Sequence, residues 1–155
     1  RLANNRLHIR FFEGVSEYAR ALEDIILTPP KRVLAYEATS LRRSGTEVRE
    51  AHEQQRIKRK ILKRVLSDDT AQTKAFYKKR PYDDLTQIRV VSKMNALDAV
   101  DLQMYDNKIL YTSYTDREPI SILIEDRALC EMQSSFFLST WNNGKDISLI
   151  TYDKS

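Results

Sequence analysis

Five carboxylates, Glu13, Glu37, Asp68, Asp69 and Glu125, each fall just after a stretch that reads as a β-strand. Strand ends are where open α/β sheets hold ligands, and a carboxylate there can accept hydroxyl hydrogens. Acids at such places are equally ordinary loop and helix-cap residues. Other reactive groups are sparse. His8 is expected on a strand face and His52 on a helix surface, too isolated from each other and from Cys130 to make a metal site. With three glycines in 155 residues, no G-x-x-x-x-G-K-S/T or G-x-G-x-x-G phosphate loop is present, and G-x-S-x-G is missing too. No catalytic residue, metal ligand or cofactor is therefore assigned.

The one dense charge run is QQRIKRKILKRVL, in which Arg56, Lys58, Arg59, Lys60, Lys63 and Arg64 cluster. It reads either as a solvated helix end and edge strand or as a nucleic-acid-binding segment with salt-sensitive affinity.

These residues need a frame. Leu7 to Phe12 alternates like a strand, and Gly14 with Glu17 opens a helix whose apolar face carries Val15, Tyr18, Ala19, Leu22, Ile25 and Ile26. Thr28-Pro29-Pro30 must end it. Arg32 to Glu37 is the next strand, completing a β-α-β unit. Ser44-Gly45-Thr46-Glu47 has capping-box spacing for a helix reaching about Lys58, and Ile61 to Leu66 reads as a strand. Asp69 with Gln72 starts another helix before Pro81. Strands follow near Gln87–Val91, Val100–Tyr105, Ile109–Tyr114 and Ile120–Ile124, the middle two joined by a turn at Asp106-Asn107. A last helix capped by Asp126 carries Ala128, Leu129, Met132, Phe136, Phe137 and Trp141 on a broad apolar face. Ile147 to Ile150 is a candidate edge strand. This order predicts an α/β sandwich with a mixed sheet flanked by helices.

Composition agrees with a folded domain, with 41% hydrophobic and 31% charged residues and a formal charge of +4. A lone cysteine and the lack of any long apolar run point to a reducing compartment, the cytoplasm by default, and to no membrane partner. Arg1 in place of methionine suggests a fragment.

The motif order IRFFEGVSEYARALEDIIL, VLAYEA, ILKRVLSDD, IRVV, VDLQMYDNKILYTSY and PISILIEDRALCEMQSSFFLSTW resembles the C-terminal sensor region of TrmB-like transcriptional regulators. It covers about Leu7 to Trp141, with residues 1–6 as a connecting segment, 7–144 as the regulatory domain and 145–155 as a tail or edge strand. The resemblance implies a phospholipase D-like fold, with a winged-helix DNA-binding domain outside this chain and a homodimer in the full-length protein. Active enzymes of that fold carry H-x-K-x-x-x-x-D, the histidine forming the phosphoenzyme bond and the lysine holding phosphate. With Asp106 matched to the aspartate, Ala99 stands at the histidine position and Asp101 at the lysine position. The resemblance thus implies a non-catalytic sensor for a small, sugar-like effector, with Glu13, Tyr36, Glu37 and Asp68 as the candidate pocket. The alternatives are nucleic-acid binding through residues 56–64 and a degenerate phosphodiesterase.

Overall fold

The computed structural model describes residues 8–38, 45–79, 83–92, 99–114 and 118–147. Strands and helices alternate through β1 (His8–Glu13), α1 (Gly14–Leu27), β2 (Arg32–Tyr36), α2 (Thr46–Lys58), β3 (Leu62–Asp68), α3 (Ala71–Lys78) and β4 (Thr86–Val91). Consecutive strands then follow as β5 (Val100–Tyr105), β6 (Lys108–Ser113) and β7 (Ile120–Glu125), before α4 (Arg127–Asn142) and the short β8 (Lys145–Asp146). The strands form one mixed sheet in the order β1-β7-β6-β5-β2-β3-β4-β8. β2, β3 and β4 are parallel, and the pairs on either side of this block are antiparallel. The expected α/β sandwich is therefore the fold observed.

Local chemistry sets the junctions. At the β5–β6 turn, Asp106 and Asn107 both have positive φ, as a two-residue hairpin of matching twist requires, and these side chains tolerate that backbone well. Gly14 begins α1 at φ +87 and donates its amide hydrogen to Pro119 at 2.9 Å. α1 stops at Thr28, ahead of the two prolines, as expected.

Both sheet faces carry core, but unequally. On one face Tyr18, Leu22 and Ile25 of α1 pack on Val33, Leu110 and Leu123, while Tyr77 of α3 packs on Ala35, Val65 and Val90. On the other face α4 places Phe137 and Trp141 against Leu34, Tyr36, Leu66 and Met104. Beyond α4 that second face stays open: Ile9, Phe11 and Ile120 are exposed, Phe11 by 68%.

Several expectations need correction. Ala128, Met132 and Phe136 lie on the solvent side of α4, because the helix buries only the narrower stripe of Cys130, Phe137 and Trp141. α3 is capped by Thr70, whose hydroxyl accepts from the Thr73 amide, and not by Asp69. At the start of α2 no side chain caps; Gly45 does so with φ +75, and Ser44 lies outside the described residues. The edge strand near the C-terminus is Lys145–Asp146, paired with β4, whereas Ile147 is buried and residues 148–150 lie outside the described residues.

Candidate functional site

The C-terminal ends of β2 and β3 lie beside the start of β5, at the crevice position of an α/β sheet. From Glu37 and Asp101 at this crevice, buried charged side chains run along the sheet face under α2 to Lys63 near the start of β3. Glu37, Glu53 and Asp101 meet Arg49, Arg56 and Lys63, three acids against three bases, all largely buried.

Lys63 Nζ is the hub, donating to Glu37 Oε2 and Glu53 Oε1 at 2.8 Å each. Arg56 donates through Nε and Nη2 to Glu53 Oε2, through Nη1 to the Ile61 carbonyl at 2.7 Å, and to the Thr86 hydroxyl. Glu37 also accepts from the Tyr77 hydroxyl at 2.6 Å, and Arg49 Nη2 stands 3.0 Å from it, at ion-pair distance but off hydrogen-bond geometry. Burying six charges is tolerable only with this degree of mutual pairing.

Asp101 extends the network along the sheet. Its Oδ1 accepts from the Ala38 amide at 2.7 Å and its Oδ2 from the Tyr114 hydroxyl at 2.9 Å. The Tyr114 hydroxyl is in turn 2.9 Å from that of Tyr18. Burial raises the Asp101 carboxyl above its ordinary range, opposed by the Arg49 guanidinium. Burial also raises Tyr18 and Tyr114, so both phenols keep their protons and serve as hydrogen-bond links.

The sequence-predicted residues scatter around this arrangement. Glu37 is inside it, with both carboxylate oxygens engaged. Tyr36 points to the opposite face, where its ring meets Phe137 edge-on at 5.1 Å. Glu13 ends β1, exposed, four interstrand steps from β2 in the strand order and so about 19 Å away across the sheet. Asp68 ends β3 and is half-buried, on the face that Tyr36 occupies. These four do not converge on one pocket.

The basic run also divides. Arg56 is 1% exposed and Lys63 3% exposed, both inside the network, so they are corrected from surface cations to buried ion-pair partners. Lys58, Arg59 and Lys60 are exposed, and Arg64 is half-buried. The physical reason is strand alternation: Lys63 faces the side covered by α2, whereas Arg64 faces the other. His52 is corrected as well, from helix surface to a buried position, 7% exposed.

Arg49, Glu53 and Asp101 were missed by sequence reasoning as site residues. Arg49, Glu53 and Arg56 recur at positions i, i+4 and i+7, which puts them on one helical stripe, and that spacing was the available signal. Among the described residues, no group of three or more His, Cys, Asp or Glu is placed to hold a metal ion. No helix of the described residues is long and apolar enough to cross a membrane.

No protein-family model matches the chain. No curated protein matches it either. Solved structures do. TrmBL2, described as an archaeal chromatin protein with a novel mode of DNA binding, superposes with TM-score 0.64 over 89% of this chain at 9% identity. This chain spans about half of that one, 52%. NucT from Helicobacter pylori gives TM-score 0.61 at 12% identity, covering 91% of this chain and 99% of that one. Nuc from Salmonella typhimurium, a phospholipase D family member, gives 0.57 at 12% identity over 91% of this chain and 98% of that one. At these identities the similarity concerns architecture, and the chain has a phospholipase D-like fold.

Proposed function

We propose that this chain is a non-catalytic, effector-responsive regulatory domain of a DNA-associated protein, built on a phospholipase D-like frame. The observation that carries this reading is the state of Asp101. A phosphodiester site on this hairpin needs an imidazole nucleophile and a cation for phosphate, and Ala99 and Asp101 occupy those positions in the resemblance. The Asp101 carboxylate is buried and already bonded to Ala38 and Tyr114, so it repels an anion and has no face to offer one. Neither described histidine replaces the nucleophile: His8 is exposed on the edge strand β1 and His52 is buried on α2.

The DNA binding named for TrmBL2 supports a place beside DNA for this domain, with contact made through another part of a longer protein or through a partner. An effector would act by binding one arrangement of the domain better than another, since only differential affinity shifts such an equilibrium. The test is turnover of bis(p-nitrophenyl) phosphate by the purified chain. A rate equal to buffer is expected; a rate above buffer that Asp101→Asn abolishes overturns the reading.

A second reading has its own observation. Arg64 on β3 has its guanidinium pushed down by burial and then by the positive neighbours Arg32 and Arg89, and its bond to Gln87 is to a neutral group. With exposed Lys31, Lys58, Arg59 and Lys60 near the same strand ends, this makes a basic rim suited to a phosphate backbone. Fluorescence anisotropy with duplex DNA at low and near-physiological salt separates the two. Tight binding at the higher salt, lost in Arg32→Glu and Arg64→Glu, would make this domain a DNA-contacting module itself.

A further inference from the structure

α1 and α2 run side by side over the sheet, and between them lies a groove of about 500 Å³. Its walls are mostly apolar, with Leu22 and Ile26 from α1 facing Val48 and Ala51 from α2. Glu23 and Gln55 add polar groups, both on exposed residues. His52 lines the same groove, and neither of its ring nitrogens has a hydrogen-bond partner. It is only 7% exposed.

A buried imidazole with two idle nitrogens is an unfavourable arrangement, because native interiors satisfy nearly all such groups. Burial pushes His52 down to about 4; Glu53 opposes this, and Lys63, Arg56 and Arg49 add to it. The ring is therefore neutral at physiological pH, with one N–H donor and one bare acceptor.

We propose that this groove binds a small, uncharged molecule with an apolar body and a hydroxyl or amide group that pairs with His52, whose ring turns one of its nitrogens, both closed to solvent without the ligand, toward the groove. The groove has the volume of ordinary small-molecule sites, and a single polar anchor in apolar walls is their usual composition. A docking helix fits the chemistry less well, since its backbone groups are satisfied internally and its apolar side chains would leave the imidazole unpaired. The site also gives the regulatory reading a place and rests on it for its biological role. Ligand held between α1 and α2 bears on the helix that carries Arg49, Glu53 and Arg56, and these reach the ends of β2, β3 and β4 through Glu37, Lys63 and Thr86.

The test uses two probes of the same shape, p-cresol and toluene, followed by the ring resonances of His52, with His8 as the internal control. The expected result is a shift at His52 and none at His8, with p-cresol binding roughly three- to tenfold more tightly than toluene. His52→Phe should abolish that preference. If this variant does not give a folded amide spectrum, Ala51→Trp, at an exposed position, fills the groove and should remove binding of both probes while the His52 signal persists. No shift at His52, equal affinity for the two probes, or undiminished binding in Ala51→Trp overturns the proposal. Phosphodiester turnover is read separately, so failure of this site leaves the non-catalytic reading standing, and turnover would remove that reading without touching the site.

Discussion

The Asp101 carboxylate accepts the amide hydrogen of Ala38 at 2.7 Å, joining residues 63 positions apart. This bond fixes the end of β2 to the start of β5. An asparagine can keep it, because its amide oxygen still accepts from Ala38 while its NH₂ group donates to Tyr114, which can then donate to Tyr18. Asp101→Asn should therefore cost under about 1 kcal/mol, whereas Asp101→Ala leaves the buried Ala38 amide and one hydroxyl hydrogen of the Tyr18–Tyr114 pair without an acceptor and should cost roughly 2–4 kcal/mol. Urea unfolding at neutral pH distinguishes the two.

Lys63 makes a harder demand. Replacing it by methionine leaves Glu37 and Glu53 buried together without their shared cation, a loss of about 3–5 kcal/mol. Arg59→Ala, at an exposed position, should stay within about 0.5 kcal/mol. Equal effects of the two substitutions would mean that Lys63 is solvated and the network is not formed.

Acid stability should split into two opposing parts. His52 is neutral in the fold down to about 4, while in the unfolded chain it protonates near 6.5. Its contribution is full above about 6.5 and is lost as the pH falls toward 4, by roughly 3 kcal/mol. Asp101 acts in the reverse sense: its folded carboxyl is raised by burial, so its contribution is greatest below the unfolded value of 3.8 and is lost as the pH rises through the folded value. Unfolding free energies between pH 4 and 7 should consequently rise with pH more steeply in Asp101→Asn than in the wild type. In His52→Phe they should rise less or fall.

Gly45 carries the entry to α2. Its φ of +75 lies in the left-handed region, and an added Cβ would come within 3.0 Å of the Tyr18 ring. Gly45→Ala should cost at least about 1–2 kcal/mol, from the backbone alone. A thermal melt within a degree of the wild type would show that the turn relaxes freely.

Much of the architecture was legible because its signals are local. β5, bounded by alternation and the Asp106-Asn107 turn, has the expected limits of Val100 and Tyr105, and Asp126 caps α4 through the Leu129 amide. The site was less legible because hydrophobic patterning assumes that polar residues face water. On α2 the buried side is His52, Glu53 and Arg56, so the rule assigns the helix the wrong orientation. Arg56 and Lys63 look like neighbours in a basic run, and only the pleat of β3 shows that Lys63 and Arg64 face opposite ways. On α4 the converse holds: Met132 and Phe136 fit an apolar stripe, yet they lie on the solvent side of the helix, away from the narrower stripe that packs on the sheet.

The three acids and three bases of the buried network cancel. Removing them from 26 basic and 22 acidic residues leaves 23 and 19, so the formal +4 belongs entirely to the rest of the chain. Mobile ions in solution accordingly meet a molecule whose exterior carries the full excess, while added salt has little access to the pairs inside. Salt should then modulate whatever this surface meets and leave the internal latch between α2 and the sheet almost untouched.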